Sequence, residues 1–333
     1  DPLGDRGHPG NWLPADARAA LAEIDGYYFK SHAGLPALRD RYVQDVIWER
    51  IRSAFYFQNV SVDALAYIYE NTLVTPEARK TWGTHSTPPE IAEYLVRRLP
   101  FEDVPIDDLR VLEPCAGHGV FLVAAMRRMR ELLRPETTDR ARHAFFVKGL
   151  AGIEVDPFAC EVARLSLMLA DYPNPDGWLI CREDVFAGDS IREHMQDQTI
   201  VLCNPPFEDF TDEERARYGT KLAHVAKPAE VLHRVMSAGP PVMLGFVLPR
   251  AFLTGRSYQA FHGDIAASYG KVELVALPDR VFRHSDAEAA LVLAWNRKAV
   301  PQVQCAVRSS VVFEAGRSRF LASGAVSGPT IGS

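Results

Sequence analysis

From about residue 109 the chain alternates short apolar runs with stretches that carry apolar residues at helical spacing. The runs at 110–112, 149–155, 178–181, 199–203 and 242–248 read as strands. The stretches at 120–133, 157–170, 227–236 and 258–267 read as helices between them. Strand–helix alternation of this kind predicts an α/β fold with a doubly wound, mostly parallel sheet. Two further strands, at 271–277 and 289–295, have no crossover helix between them, so they are expected to pair antiparallel. Before this region, 17–24, 38–54 and 62–73 carry helical periodicity. Thr87-Pro88-Pro89-Glu90 gives helix-start signals for a helix running to Leu99, with Thr87 as its cap. The expected division is a helical region at 1–86, an α/β domain at 87–298 and an extension at 299–333. That extension has strand-like pieces followed by a Gly/Ser-rich tail.

In such a sheet, ligands bind beyond the carboxyl ends of the strands. The first strand is followed by Glu113-Pro114-Cys115-Ala116-Gly117-His118-Gly119. Its glycines allow a tight turn and close approach to a ligand, and the helix behind them favours a carboxylate or phosphate. The dinucleotide fingerprint needs a third glycine where Leu122 stands, and no Gly-Lys-Ser/Thr of a P-loop follows. Glu154, at the end of the second strand, is placed to accept hydrogen bonds from ribose hydroxyls. Asp156, just before Pro157, suits the cap of the following helix. Asp184 follows the third strand. A carboxylate there can accept from an adenine amino group, with Val185 or Phe186 against the ring.

The fourth strand leads into Asn204-Pro205-Pro206-Phe207. Asn supplies a carbonyl acceptor. The prolines fix backbone carbonyls and donate nothing. Phe207 offers a flat face on which a base can stack. A carboxylate site, a ribose acceptor, an adenine acceptor and a grip for a planar amino group therefore fall along one sheet edge.

These residues, in this order, resemble the gamma-class adenine-N6 DNA methyltransferases, which use S-adenosylmethionine. The resemblance is carried by Thr87-Pro88-Pro89, Glu113 to Gly119, Gly152-Ile153-Glu154, Asp184 and Asn204 to Phe207, and by Gly245 to Leu253. Leu65-Ala66-Tyr67-Ile68-Tyr69-Glu70 is similar to the helical lead-in of modification subunits from restriction and phage-defence systems. The whole resemblance covers roughly residues 60–296. Cys115-Ala116 departs from the commoner Ala-Cys order and Phe207 from the commoner Tyr, but the loop spacing and the ring are kept. The resemblance implies a seven-stranded class I methyltransferase fold. It also implies methyl transfer from S-adenosylmethionine to adenine N6 of double-stranded DNA, in line, on a base turned out of the duplex. By the same resemblance Asn204 and the Pro205 carbonyl accept the amino hydrogens and Phe207 stacks on the base. Thr87, Pro88 and residues 113–119 (Glu113, Pro114, Cys115, Ala116, Gly117 and Gly119 among them) hold the cofactor with Glu154, Asp184 and Val185.

Other acceptors share parts of this pattern. Cytosine-C5 transfer needs a cysteine nucleophile after proline, but Pro114-Cys115 lies in the cofactor loop, and Cys203 points to the opposite side of its strand from Asn204. Asn-Pro-Pro-Tyr/Phe also serves glutamine-N5 protein methyltransferases and some RNA methyltransferases. A non-catalytic subunit keeping the fold to bind DNA or cofactor is a further alternative. The formal charge of −6 does not announce a nucleic-acid partner, so DNA contact needs a local basic surface. Arg250, Arg256, Arg280 and Arg283 are the expected phosphate contacts. Arg127, Arg128, Arg130, Arg134, Arg140 and Arg142 read as a solvated helix face.

The five cysteines are scattered without a CxxC pair, which argues against a metal site and favours a reducing cytoplasm. No run reaches membrane-spanning length. The chain begins with Asp rather than Met, so a processed or trimmed start is expected. No sequence-reading element is evident, so DNA specificity, like any nuclease, is expected in a further domain or a partner subunit.

Overall fold

The computed structural model describes residues 42–47, 50, 87–219, 222–279, 281–282, 288–299, 312–313 and 320–321. The helices expected at 17–24 and 62–73, the lead-in at Leu65–Glu70, Arg280 and Arg283 lie outside the described residues. Of the one expected at 38–54, a turn of π-helix at Val43–Ile47 is described.

Seven strands form one sheet: β1 (Val111–Glu113), β2 (Leu150–Glu154), β3 (Leu179–Arg182), β4 (Ile200–Cys203), β5 (Met243–Pro249), β6 (Tyr269–Ala276) and β7 (Ala289–Arg297). Their spatial order is β3-β2-β1-β4-β5-β7-β6. β1 to β5 run parallel, and β7 is antiparallel to both β5 and β6. This is the mostly parallel, doubly wound sheet expected from the alternation. The order reverses at β1 and β4, which are hydrogen-bonded neighbours. Crossovers run to opposite faces there, and a crevice opens beyond their carboxyl ends.

Both faces of the sheet are covered, which is why β1 and β4 are apolar without alternation. Val111, Ile200 and Leu202 pack into one core with helices α1 (Pro89–Arg98), α2 (Val120–Leu132), α3 (Asp139–Gly149) and α4 (Pro157–Ala170). Leu112, Val201 and Cys203 pack into the other. The helices there are α5 (Ser190–His194), α7 (Lys227–Ala238) and α8 (Gln259–Ser268), while α6 (Asp212–Tyr218) buries none of its residues. Among the described residues no helix is long and apolar enough to cross a membrane.

Three helices escaped the periodicity: the five-residue α5, too short to show a period, α3 and α6. α3 buries only Phe146 and Gly149, so its apolar stripe is faint; its start is marked instead by Thr138, whose hydroxyl accepts from the Ala141 amide at 3.3 Å. In α6 the start is a reciprocal cap between Thr211 and Glu214, a signal present in the sequence as Thr-x-x-Glu. At α1 the expected cap differs. Pro88 occupies that position and the helix has no side-chain cap. Prolines at 88 and 89 remove the first amides a threonine there could serve, and the hydroxyl is used elsewhere.

Beyond residue 299, Val312–Phe313 and Phe320–Leu321 form a small antiparallel ladder.

Candidate active site

The loop after β1 turns through two left-handed glycines, Gly117 at φ 52° and Gly119 at φ 82°. A side chain would be strained at either. Gly119 opens α2, and the Ala116 amide is tied to the Ile153 carbonyl at 2.9 Å, so the loop lies across the end of β2. Nothing lies within 4 Å of where a Cβ would stand on Gly117, which leaves the loop crest open to a ligand.

Each strand tip on this side carries a carboxyl group, and each is held by backbone amides. Glu154 accepts from Gly117 at 2.7 Å and from Asp156 at 2.9 Å. Burial raises its pKa, and those amides oppose the rise. Glu113 is 1% exposed and accepts from the Leu122 amide at 3.2 Å, in the first turn of α2. Its carboxyl is driven well above the usual carboxylate range, chiefly by burial. The structure therefore places Glu113 under the loop, against the helix start, and Glu154 at the lip. Asp156 takes the Phe158 amide at 2.9 Å, the helix cap expected of it. Asp184 accepts from the Phe186 amide at 2.9 Å and from the Tyr218 hydroxyl at 2.6 Å, with Val185 buried beside it.

Between residues 113 and 119 there is no lysine or arginine. Acids at three successive strand tips disfavour a diphosphate and suit a nucleoside whose other end is cationic.

β4 delivers Asn204 beside this loop because β4 pairs with β1. The Asn204 Nδ2 donates to the Thr87 hydroxyl oxygen at 2.9 Å. Pro205 is buried, and Phe207, partly buried, meets the edge of Phe282 at 6.2 Å between ring centroids and an interplanar angle of 76°. Cys203 is fully buried in the opposite core. Burial, then contact with the Cys115 side chain, pushes its thiol upward, the reverse of an activated nucleophile.

The arginines divide. Arg250 is bonded to the Leu277 carbonyl, to Asp279 at 2.7 Å and to Glu288 at 3.2 Å, so its guanidinium braces β5 against the end of β6. Arg256 is exposed. On α2 and α3 the basic cluster is not simply solvated. Arg127 pairs with Glu93, Arg128 with Glu102 and Glu131, Arg130 with Asp171, and Arg142 with Asp139 and Asp171.

A family model for N-6 DNA methylases matches residues 60–320, which contain the loop, all three acids and Asn204 to Phe207. The chain belongs to this family. The adenine-specific methyltransferase PglX of Streptomyces coelicolor is 27% identical over 99 residues, covering 28% of this chain and 8% of PglX. The structure of the type ISP restriction-modification enzyme LlaBIII bound to DNA superposes with a TM-score of 0.59 at 11% identity, over 89% of this chain and 24% of that one. A Listeria monocytogenes protein assigned to the class I S-adenosylmethionine-dependent methyltransferases gives a TM-score of 0.54 at 14% identity, over 90% and 84%. The two structural likenesses are of fold. The chain spans a small part of the curated relative's length.

In this chain three contacts had no sequence signal. Tyr218 reaches Asp184 across 34 residues, and burial together with that bond raises its pKa. Phe282 reaches Phe207 across the loop after β6. Cys181, Glu183 and His194 bring a thiol, a carboxylate and an imidazole within 4.8 Å of one another. Glu183 spends one oxygen on Ser190 at 2.7 Å and the other on His194 at 3.1 Å.

Proposed function

We propose that this chain is the catalytic part of a DNA methyltransferase that methylates adenine N6, with S-adenosylmethionine as donor. The observation that carries the reading is the adjacency of β1 and β4. It sets the Asn204-Pro205-Pro206-Phe207 grip beside a glycine loop flanked by strand-tip acids. The donor supplies a methyl group made electrophilic by its sulfonium. The residues that would hold it are Thr87, Pro88 and the 113–119 loop at the methionine end, Glu154 at the ribose, and Asp184 with Val185 at the adenine. The open crest at Gly117 and the acidic strand tips fit a cationic nucleoside of this kind.

The chain's own contribution at the acceptor is to raise the nucleophilicity of a weak amine. The N6 lone pair is delocalised into the purine ring. When the Asn204 Oδ1 and the Pro205 carbonyl accept the two amino hydrogens, electron density returns to nitrogen. Phe207 stacks on the base, which must leave the duplex to enter the crevice. Orientation does the rest. Arg250 is occupied in the described structure, so of the two described members of the expected set, Arg250 and Arg256, the phosphate contact is assigned to Arg256. DNA specificity, and any nuclease, are assigned to a further domain or subunit.

Methylome sequencing of DNA from cells expressing the intact protein, with Asn204→Ala as control, tests this directly. N6-methyladenine in a defined context, absent with the variant, is the expected outcome. Methylation at the same level with Asn204→Ala, or on another acceptor, overturns the reading.

A further inference from the structure

Asn204 and Thr87 are 117 residues apart in sequence and 2.9 Å apart in space. Thr87 is 3% exposed, Pro88 rather than Thr87 stands at the cap of the helix that follows, and the Thr87 hydroxyl accepts from the carboxamide. A carboxamide has two nearly isosteric ends. Rotation about its last torsion exchanges an acceptor for a donor at almost no steric cost, so only hydrogen bonding decides which end faces a ligand. When the Thr87 O–H is committed to the cofactor's carboxylate its oxygen can only accept, which keeps Nδ2 on Thr87 and leaves Oδ1 on the other branch as an acceptor. In the reverse orientation Nδ2–H would face the amino hydrogens of the base, donor against donor, and the electron density that activates N6 would be lost.

Thr87 itself is rigidly held. Pro88 has φ −57° and ψ 137°, and Pro89 opens α1, so the residue before them has little backbone freedom. α1 is seated on the sheet through Ile91, Ala92, Leu95 and Val96. Leu95 sits over β5 so closely that a Cβ on Gly245 would stand 2.3 Å from its Cδ2. Arg98 is paired with the buried Glu273 of β6 at 2.7 Å, and Arg97 with Glu131 of α2 at 2.7 Å.

We propose that Thr87 is a positioning residue that sets the orientation of the Asn204 carboxamide, presenting its oxygen to the acceptor amine. This rests on the adenine-N6 reading above. It is distinct from the hold on the cofactor's carboxylate assigned to Thr87. A hydroxyl that accepts from Asn204 still has its own O–H to donate, so one residue can serve both.

The test compares Thr87→Val, which keeps the shape and removes the hydroxyl, with Thr87→Ser, which keeps the hydroxyl. Single-turnover methyl transfer to DNA is measured at saturating S-adenosylmethionine, and S-adenosylmethionine affinity by calorimetry. Thr87→Val is expected to lower the saturated rate by about 10- to 100-fold, the scale of a misplaced catalytic group. Thr87→Ser should recover most of that rate. Thr87→Ala, with unfolding checked by thermal melting, should match Thr87→Val. A saturated rate unchanged in Thr87→Val and Thr87→Ala, with only cofactor affinity weakened, overturns the positioning role. Asn204→Ala run in parallel separates the failures. If it is inactive while Thr87→Val is normal, only the positioning proposal falls; if it is fully active, the adenine-N6 reading itself falls.

Discussion

The two halves of the crevice are built differently. On the β1–β3 side every acidic strand tip takes at least one amide from within nine residues: Glu154 from Asp156, Asp184 from Phe186, Glu113 from Leu122; Glu154 and Asp184 each add one long-range donor, Gly117 and Tyr218. On the β4–β7 side the fixing partners are remote. Asn204 is held by Thr87, Phe207 meets Phe282, and Arg250 is anchored to Asp279 and Glu288. A locally fixed site is set once its strand and turn form. A remotely fixed one waits for helix packing and sheet closure, and is exposed to any change that moves α1 or the loop after β6. The proposed cofactor half thus has a local hold at each of its acids, and the proposed acceptor half rests on remote partners.

Variants that damage one half alone put this contrast to the test. The largest effect is expected from Asn204→Ala. Methyl transfer to DNA should fall by at least about 100-fold, the scale seen when a preorganised hydrogen-bonding group is removed from a reacting centre. S-adenosylmethionine affinity by calorimetry should stay within about threefold. A parallel loss of affinity would show that the halves are not independent.

Glu154→Ala strikes the other half. It strips the acceptor from the Gly117 and Asp156 amides. It also removes the charged acceptor proposed for the ribose hydroxyls, whose hydrogen bonds are worth about 1.5–3 kcal/mol, so S-adenosylmethionine should bind about 10- to 100-fold more weakly while DNA affinity by fluorescence anisotropy is unchanged. Cofactor affinity that survives the substitution would remove Glu154 from the site.

Arg256→Glu should weaken DNA binding by several-fold and flatten its dependence on salt, because one phosphate contact becomes a repulsion. An unchanged salt slope would leave the described acceptor half without its basic contact.

The smallest effect is a pH trend at Glu113. Its folded pKa lies well above the ordinary value of 4.5, mainly through burial. Above that ordinary value the folded chain holds the proton longer than the unfolded one, so this group's contribution to stability declines as pH rises toward its folded pKa. Glu113→Gln keeps an oxygen for the α2 amides and has no proton to lose. The melting-temperature difference, variant minus wild type, should therefore grow more positive from pH 5 to pH 8. A difference flat with pH would mean that burial does not govern this carboxyl.

Much of the fold was legible because the helices and strands of the sheet obey clean periods. The span of α4 was read to the residue, and the antiparallel pairing of the last strands followed from a missing crossover helix. α3 was not legible, since its outward face is arginine-rich and its buried face holds only Phe146 and Gly149. The loop, the acids at Glu154 and Asp184, and the Asn204 tetrapeptide were visible as residue types in order. The hydroxyl of Thr87 was not placed correctly. A threonine before two prolines signals a helix start, and nothing local says that the helix leaves it uncapped.

Sequence by itself determined the strands and the amphipathic helices between them, the acidic chemistry of the strand tips, and the family to which the chain belongs. Those depend on side-chain period, on turn residues and on partners within a few positions. Only the tertiary structure decided that Thr87 meets Asn204, that Tyr218 meets Asp184, and that Arg250 is spent on Asp279 and Glu288. Each joins groups 29 to 117 residues apart. No local preference encodes such a pair, and its geometry exists only after the sheet has closed and α1 has seated against Gly245.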